Sequence, residues 1–162
     1  MRIAIIFIAV CALSTGASAQ SCLVVAITDG DTIKVRCGEF GAYQQINIRL
    51  GGIDAPEKKM PFGQRSKEKL SDLCYQVQAS ITPKVKDRYG RTVADVSCRG
   101  KDAGTEQVRT GMAWVYDKYS KGYEALYPLQ DAAKADKLGL WADPAPEKPW
   151  EWRHLSVKLK YL

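Results

Sequence analysis

Leu23-Val24-Val25-Ala26-Ile27-Thr28, then Asp29-Gly30, then Asp31-Thr32-Ile33-Lys34-Val35-Arg36 is the stretch on which the fold turns. Residues 23–28 are apolar and partly β-branched, the composition of a strand. Asp29-Gly30 is a turn signal. Residues 32–36 alternate, with Ile33 and Val35 on one face, so the chain returns as a second strand. Gly38 and Gly41 bound another turn. Residues 45–50 alternate again, with Ile46, Ile48 and Leu50 together. Three short strands in succession predict a meander.

Beyond it, Pro56 and Pro61 bracket a loop. Residues 64–75 carry helical polarity: Leu70, Leu73 and Cys74 share a face, while Arg65, Lys67, Glu68 and Asp72 turn to water. Residues 77–81 and 92–98 predict a fourth and a fifth strand, separated by a charged loop at 87–90. A short helix is expected over 104–109, closed by Gly111. A last helix is expected over 123–138, with Gly139 as its stop. The proline-rich residues 143–149 are expected to be extended. Five strands and three helices in 162 residues predict one α+β domain whose sheet curls into a small, partly open OB-fold barrel.

The N-terminus is expected to lie outside that domain. Arg2 opens the chain, residues 3–13 are uncharged and apolar, and Ala17-Ser18-Ala19 offers small residues at a cleavage position. This pattern predicts a signal peptide over 1–19 and a domain over 20–162, exported to a periplasm or outside the cell, with no membrane partner after cleavage. Cleavage removes Cys11 and leaves Cys22, Cys37, Cys74 and Cys98. Four cysteines in an oxidising compartment suggest two disulfides, with three possible connectivities. Folding the hairpin about Asp29-Gly30 brings Cys22 to Cys37, which leaves Cys74 for Cys98. With no CxxC pair and a single histidine, His154, the sequence argues against zinc.

Lys and Arg number 24 against 18 Asp and Glu, a formal charge of +6, which favours polyanionic partners. Three segments at strand ends carry the chemistry: Asp29-Gly30-Asp31-Thr32, the run from Arg49 through Leu50-Gly51-Gly52-Ile53-Asp54-Ala55-Pro56 to Glu57, and Asp87-Arg88-Tyr89-Gly90-Arg91. Breaking a phosphodiester needs a hard cation on a phosphate oxygen, an oriented water, and neutral balance for the charge building on phosphorus. Asp31, Asp54 and Glu57 suit the first two needs. Arg49 and Arg91 suit the third, because a guanidinium spans two phosphate oxygens. Oxygen ligands point to calcium or magnesium.

Together these segments resemble the staphylococcal nuclease family, in order and spacing. The resemblance continues through Gly111-Met112-Ala113-Trp114-Val115-Tyr116 and Lys137-Leu138-Gly139-Leu140-Trp141. It implies an OB-barrel with three helices and a calcium-dependent endonuclease that leaves 3′-phosphate ends. Asp31 and Asp54 then resemble calcium ligands, with the Ala55 carbonyl as a third. Glu57 resembles the residue that holds or deprotonates the attacking water. Arg49 and Arg91 resemble the pair on the scissile phosphate, and Arg88 and Tyr89 a contact to a terminal phosphate. Tyr116 or Tyr119 is expected to stack on a base, as aromatics do with unpaired strands. The implied partners are DNA and RNA, as single strands or frayed duplex, met by a monomer. Ala55 departs from the threonine of the best-known member. The loop of Lys58, Lys59, Met60, Pro61 and Phe62 is also shorter, so the substrate rim is expected to differ. A non-catalytic OB-fold binding module would lack some of these side chains, yet all five are present. A secreted adhesive domain leaves the three segments unexplained.

Overall fold

The computed structural model describes residues 18–158, so nearly all of the expected signal peptide at 1–19, Cys11 included, lies outside the described residues. The meander forms as β1 (Gln20–Ile27), β2 (Thr32–Cys37) and β3 (Gln44–Leu50). Alternation does what it predicts: Ile33, Val35, Ile48 and Leu50 point inward and are buried. Helix α1 (Gly63–Cys74) then leads to β5 (Gln78–Lys86), longer than the expected 77–81, and on to β6 (Thr92–Cys98). β5 pairs antiparallel with both β1 and β6.

The barrel is closed rather than partly open. β3 lies parallel to β6, with Ile48 opposite Thr92, Arg49 opposite Val93 and Leu50 opposite Ala94. Closure joins residues more than forty positions apart, so no local pattern announces it. Two short pairs are appended: β7 (Lys101–Asp102) folds back antiparallel on the end of β6, and β4 (Ile53–Asp54) pairs with β8 (Trp114–Val115).

The helices depart from expectation in two places. α2 (Ala103–Arg109) is capped by Asp102, whose carboxylate accepts the Thr105 N–H at 2.7 Å. α3 spans Leu126–Ala135, shorter than the expected 123–138, because the chain leaves helical geometry at Asp136 and turns left-handed at Lys137, φ 52°. A fourth helix, α4 (Pro149–Lys158), beyond the three expected, begins at the end of the stretch 143–149 expected to be extended. Proline suits a first helical turn, where its missing N–H costs nothing, so Pro149 starts this helix rather than prolonging the tail. No described helix is long and apolar enough to cross a membrane.

Disulfides join Cys22 to Cys37 and Cys74 to Cys98. Both sit at the end of the barrel away from the Asp29-Gly30 hairpin, and each contributes about 2–4 kcal/mol by restricting the unfolded chain. A second, smaller apolar cluster outside the barrel gathers Trp114, Ala133, Leu140 and Trp141, with Phe62 and Trp150 packed on it.

One buried amide ties the hairpin to the helices. Gln107 of α2, 1% exposed, donates to the Gly30 carbonyl at 2.6 Å and to the Ser66 carbonyl at 3.0 Å. The Ser66 hydroxyl donates in turn to the Met112 carbonyl at 2.6 Å. Gly30 has no room for a side chain, since an added Cβ would lie 1.8 Å from Ser66 Oγ. Gln107→Leu keeps the volume but leaves a buried carbonyl unpaired, a loss of about 1–3 kcal/mol. The urea midpoint is expected to fall with the slope unchanged; a midpoint equal to the parent's would dismiss this clamp.

Candidate active site

Strand register brings the three motifs to one end of the barrel. Thr32, the first residue of β2, lies opposite Arg49 of β3. Ile48 lies opposite Thr92, the residue after Arg91. Asp31, Arg49 and Arg91 therefore converge from positions far apart in sequence. Asp54 arrives through β4, after the turn at Gly51-Gly52. That turn is fixed by close approach: Gly52 has φ 71°, and a Cβ there would lie 2.3 Å from Tyr123 Cγ. The Tyr123 hydroxyl donates to Asp95 at 2.7 Å. Burial and that carboxylate push the phenol well above its ordinary range.

Asp31 and Asp54 are 5% and 1% exposed, and one guanidinium lies between them. Arg49 Nη2 is 3.2 Å from Asp31 Oδ2 and 2.9 Å from Asp54 Oδ1. Arg49 Nη1 donates to the Ile53 carbonyl at 3.0 Å. Asp31 also accepts the Thr32 hydroxyl at 2.8 Å and the Ala55 N–H at 3.1 Å. Burial opposes ionisation of Asp31, but the Arg49 charge and these hydrogen bonds outweigh it and hold the carboxyl below its ordinary range. Asp54 goes the other way. Burial, then the charge of Asp31, raise it to about 6 despite its two arginines. Asp29, whose carboxylate accepts the Asp31 N–H at 3.1 Å, is raised to about 7 by burial and by Asp31.

Glu57 is half-exposed beside this pair and accepts Arg153 Nη1 at 2.6 Å. Arg153 Nη2 reaches Asp54 Oδ2 at 2.5 Å, so one guanidinium serves both carboxylates. Arg91 approaches from the other side. Its Nε donates to Asp87 at 2.8 Å and its Nη1 to Thr32 Oγ1 at 3.4 Å. Asp87 shapes that loop by accepting the N–H groups of Tyr89 and Arg91. Arg88 and Tyr89 stand apart at the loop tip, with Tyr89 72% exposed and the Arg88 guanidinium 5.1 Å from its ring centre. Tyr116 lies near Arg49, 5.8 Å from ring centre to guanidinium, and packs edge-on against Tyr119.

Asp31 and Asp54 each place a carboxylate oxygen within 3.2 Å of the same Arg49 nitrogen, and the Ala55 group that meets Asp31 is its N–H. Among the described residues no three His, Cys, Asp or Glu side chains form a ready-made metal group, so a carbonyl and water must complete any shell. Sequence reasoning passed over Asp29, Gln107, Tyr123, Trp150 and Arg153. Asp29 stood inside a quoted motif, and the Gly51-Gly52 pair signalled a close neighbour. Nothing local signalled Arg153, which lies 99 positions from Asp54.

Residues 47–143 match the family described as Staphylococcal nuclease homologue. The chain belongs to the staphylococcal nuclease family. It is 45% identical over 135 residues to an uncharacterized endonuclease of Haemophilus influenzae, covering 83% of this chain and 73% of that one. It is 39% identical over 143 residues to a micrococcal nuclease of Shigella flexneri, covering 82% and 80%. A staphylococcal-like nuclease of Arabidopsis thaliana is 40% identical over 110 residues, covering 68% of this chain and 34% of that one. Staphylococcal nucleases act on nucleic acid and are generally metal-dependent. The stretch matched to the family holds Arg49, Asp54, Glu57 and Arg91, whereas Trp150 and Arg153 fall outside it.

The raised carboxyls carry a sign. Asp29 and Asp54 are lifted above their ordinary 3.8, so between about pH 4 and 7 the folded chain binds more protons than the unfolded one. Their effect on metal-free stability is a loss as pH rises through that window. Asp29→Asn removes one of them. In chelator it is expected to raise the melting temperature by about 5 °C at pH 8 and by progressively less toward pH 4. A difference from the parent that did not change with pH would refute the buried-carboxylate account.

Proposed function

We propose that this nuclease is an exported, calcium-dependent endonuclease that hydrolyses phosphodiester bonds of DNA and RNA and leaves 3′-phosphate ends. The observation that carries the reading is the convergence of Asp31, Asp54 and Arg49 at one end of the barrel, with Glu57 alongside. Calcium held by Asp31, Asp54 and the Ala55 carbonyl would act as a Lewis acid toward a phosphate oxygen. Glu57, exposed enough to meet solvent, orients the attacking water or takes its proton. Arg49 and Arg91 flank the carboxylates and grip the phosphate as negative charge builds on it. Arg88 and Tyr89, at the loop tip, meet a terminal phosphate, and Tyr116 and Tyr119 offer ring faces to unpaired bases. Single strands or frayed duplex are the favoured substrates, and the working unit is a monomer. The two disulfides and the apolar residues 3–13 support export.

Cleavage of single-stranded DNA is expected to vanish in a calcium chelator and to return when calcium is restored. Glu57→Gln removes the proton acceptor, and Arg91→Lys removes the planar fork. Each is expected to lower turnover about a hundredfold to a thousandfold, with little change in melting temperature. Near-normal turnover in either variant would strip that residue of its role, and full activity in chelator would end the calcium reading.

A further inference from the structure

α4 lies across the site. Trp150 stacks on Tyr116, ring centres 5.0 Å apart and planes 22° from parallel, and also meets Trp114 edge-on at 6.0 Å. Arg153 follows three residues later, on the same face of the helix. Its fork is committed to carboxylates: Nη1 to Glu57 Oε1 at 2.6 Å and to Asp54 Oδ1 at 3.3 Å, Nη2 to Asp54 Oδ2 at 2.5 Å. Asp54 Oδ1 also receives Arg49 at 2.9 Å. Both oxygens of Asp54 are thus covered by guanidinium N–H groups.

These contacts occupy what the proposed reaction needs. Asp54 is wanted by the cation, Glu57 by the water, and a face of Tyr116 by a base. A single helix satisfies all three with its own side chains: a cation on the carboxylates and an aromatic ring on the tyrosine. A divalent cation and Arg153 repel each other and compete for the same oxygens. The strap is also built to leave. The Arg153 and Glu57 side chains are 40% and 38% exposed, whereas Asp54 is 1% exposed, so the pair with Glu57 is the weakly held half of the grip. A proline-containing arm, residues 143–148, joins α4 to the body of the protein.

We propose that α4 is a strap competing with the cation: Arg153 holds Asp54 and Glu57, and Trp150 holds Tyr116, until calcium displaces them. This rests on Asp31 and Asp54 forming the calcium site. Calcium binding is then weaker than the bare site would give, by the fraction of molecules with the strap open.

Calorimetric titration of calcium into the parent, Arg153→Ala and Arg153→Gln, without substrate, tests it. Both variants are expected to bind calcium about tenfold more tightly than the parent, and Arg153→Lys is expected to fall between. Gln keeps much of the side-chain bulk and carries the test should Ala unfold, with thermal melts as the check. In the parent, calcium is expected to speed hydrogen exchange of the α4 amides. Affinities equal to the parent's overturn the strap and leave the calcium site standing. Weaker binding in the variants also overturns it, since Arg153 would then be supporting the site. Absence of calcium binding in every protein would sink the calcium site, and the strap with it.

Discussion

Two buried carboxylates held apart by one guanidinium, Asp31 and Asp54 about Arg49, are the arrangement on which the rest depends. Like charges removed from water raise each other's energy, and a single missing partner leaves a costly unpaired ion. The two acids respond unequally. Asp31, with the Thr32 hydroxyl and the Ala55 N–H as well as Arg49, stays ionised. Asp54 and Asp29 bear the strain and hold their protons more readily. A barrel that buried these groups for stability alone would be better served by apolar side chains. Their cost is met by positive charge on the chain itself, Arg49 between the two acids and Arg153 on Asp54.

Rigidity is distributed accordingly. The covalent ties, Cys22–Cys37 and Cys74–Cys98, sit at the far end of the barrel, where they stiffen strands without crowding the charged end. At the charged end, the fixing is done by close packing and single hydrogen bonds. Gln107 grips the Gly30 carbonyl, and Tyr123 lies on the Gly51-Gly52 turn. Both act on backbone, so the turns that carry Asp31 and Asp54 are fixed by the chain itself, while Arg49 and Arg153 meet the carboxylate oxygens.

Much of this was legible in the sequence because much of it is local. Residues 92–98 form a strand to the residue, since period-two alternation reports directly on a sheet with one buried face. Asp31, Arg49, Asp54 and Glu57 could be singled out because strand ends and glycine turns announce themselves. Other features answer to distant partners. The parallel pairing of β3 with β6, which turns an open sheet into a closed barrel, leaves no mark on either strand alone. The early end of α3 at Asp136 and the start of α4 at Pro149 depend on where the chain must go next. Arg153 reads as one more basic residue near a terminus, and only the folded chain shows it against Asp54 and Glu57.

The closing pair has a consequence for the cell that makes this protein. Thr32 and Arg49 find each other through a hairpin, but Arg91 joins them only when β6 lies along β3. Asp54 is held by a strand whose partner is Trp114–Val115. Until roughly two thirds of the chain has been made and has found these distant pairings, the acids and arginines are scattered on a flexible polymer. Long-range and parallel pairings are the slow ones to form. In a nascent or extended chain this end of the barrel does not yet exist, and its acids and arginines come together only once those distant strands have paired.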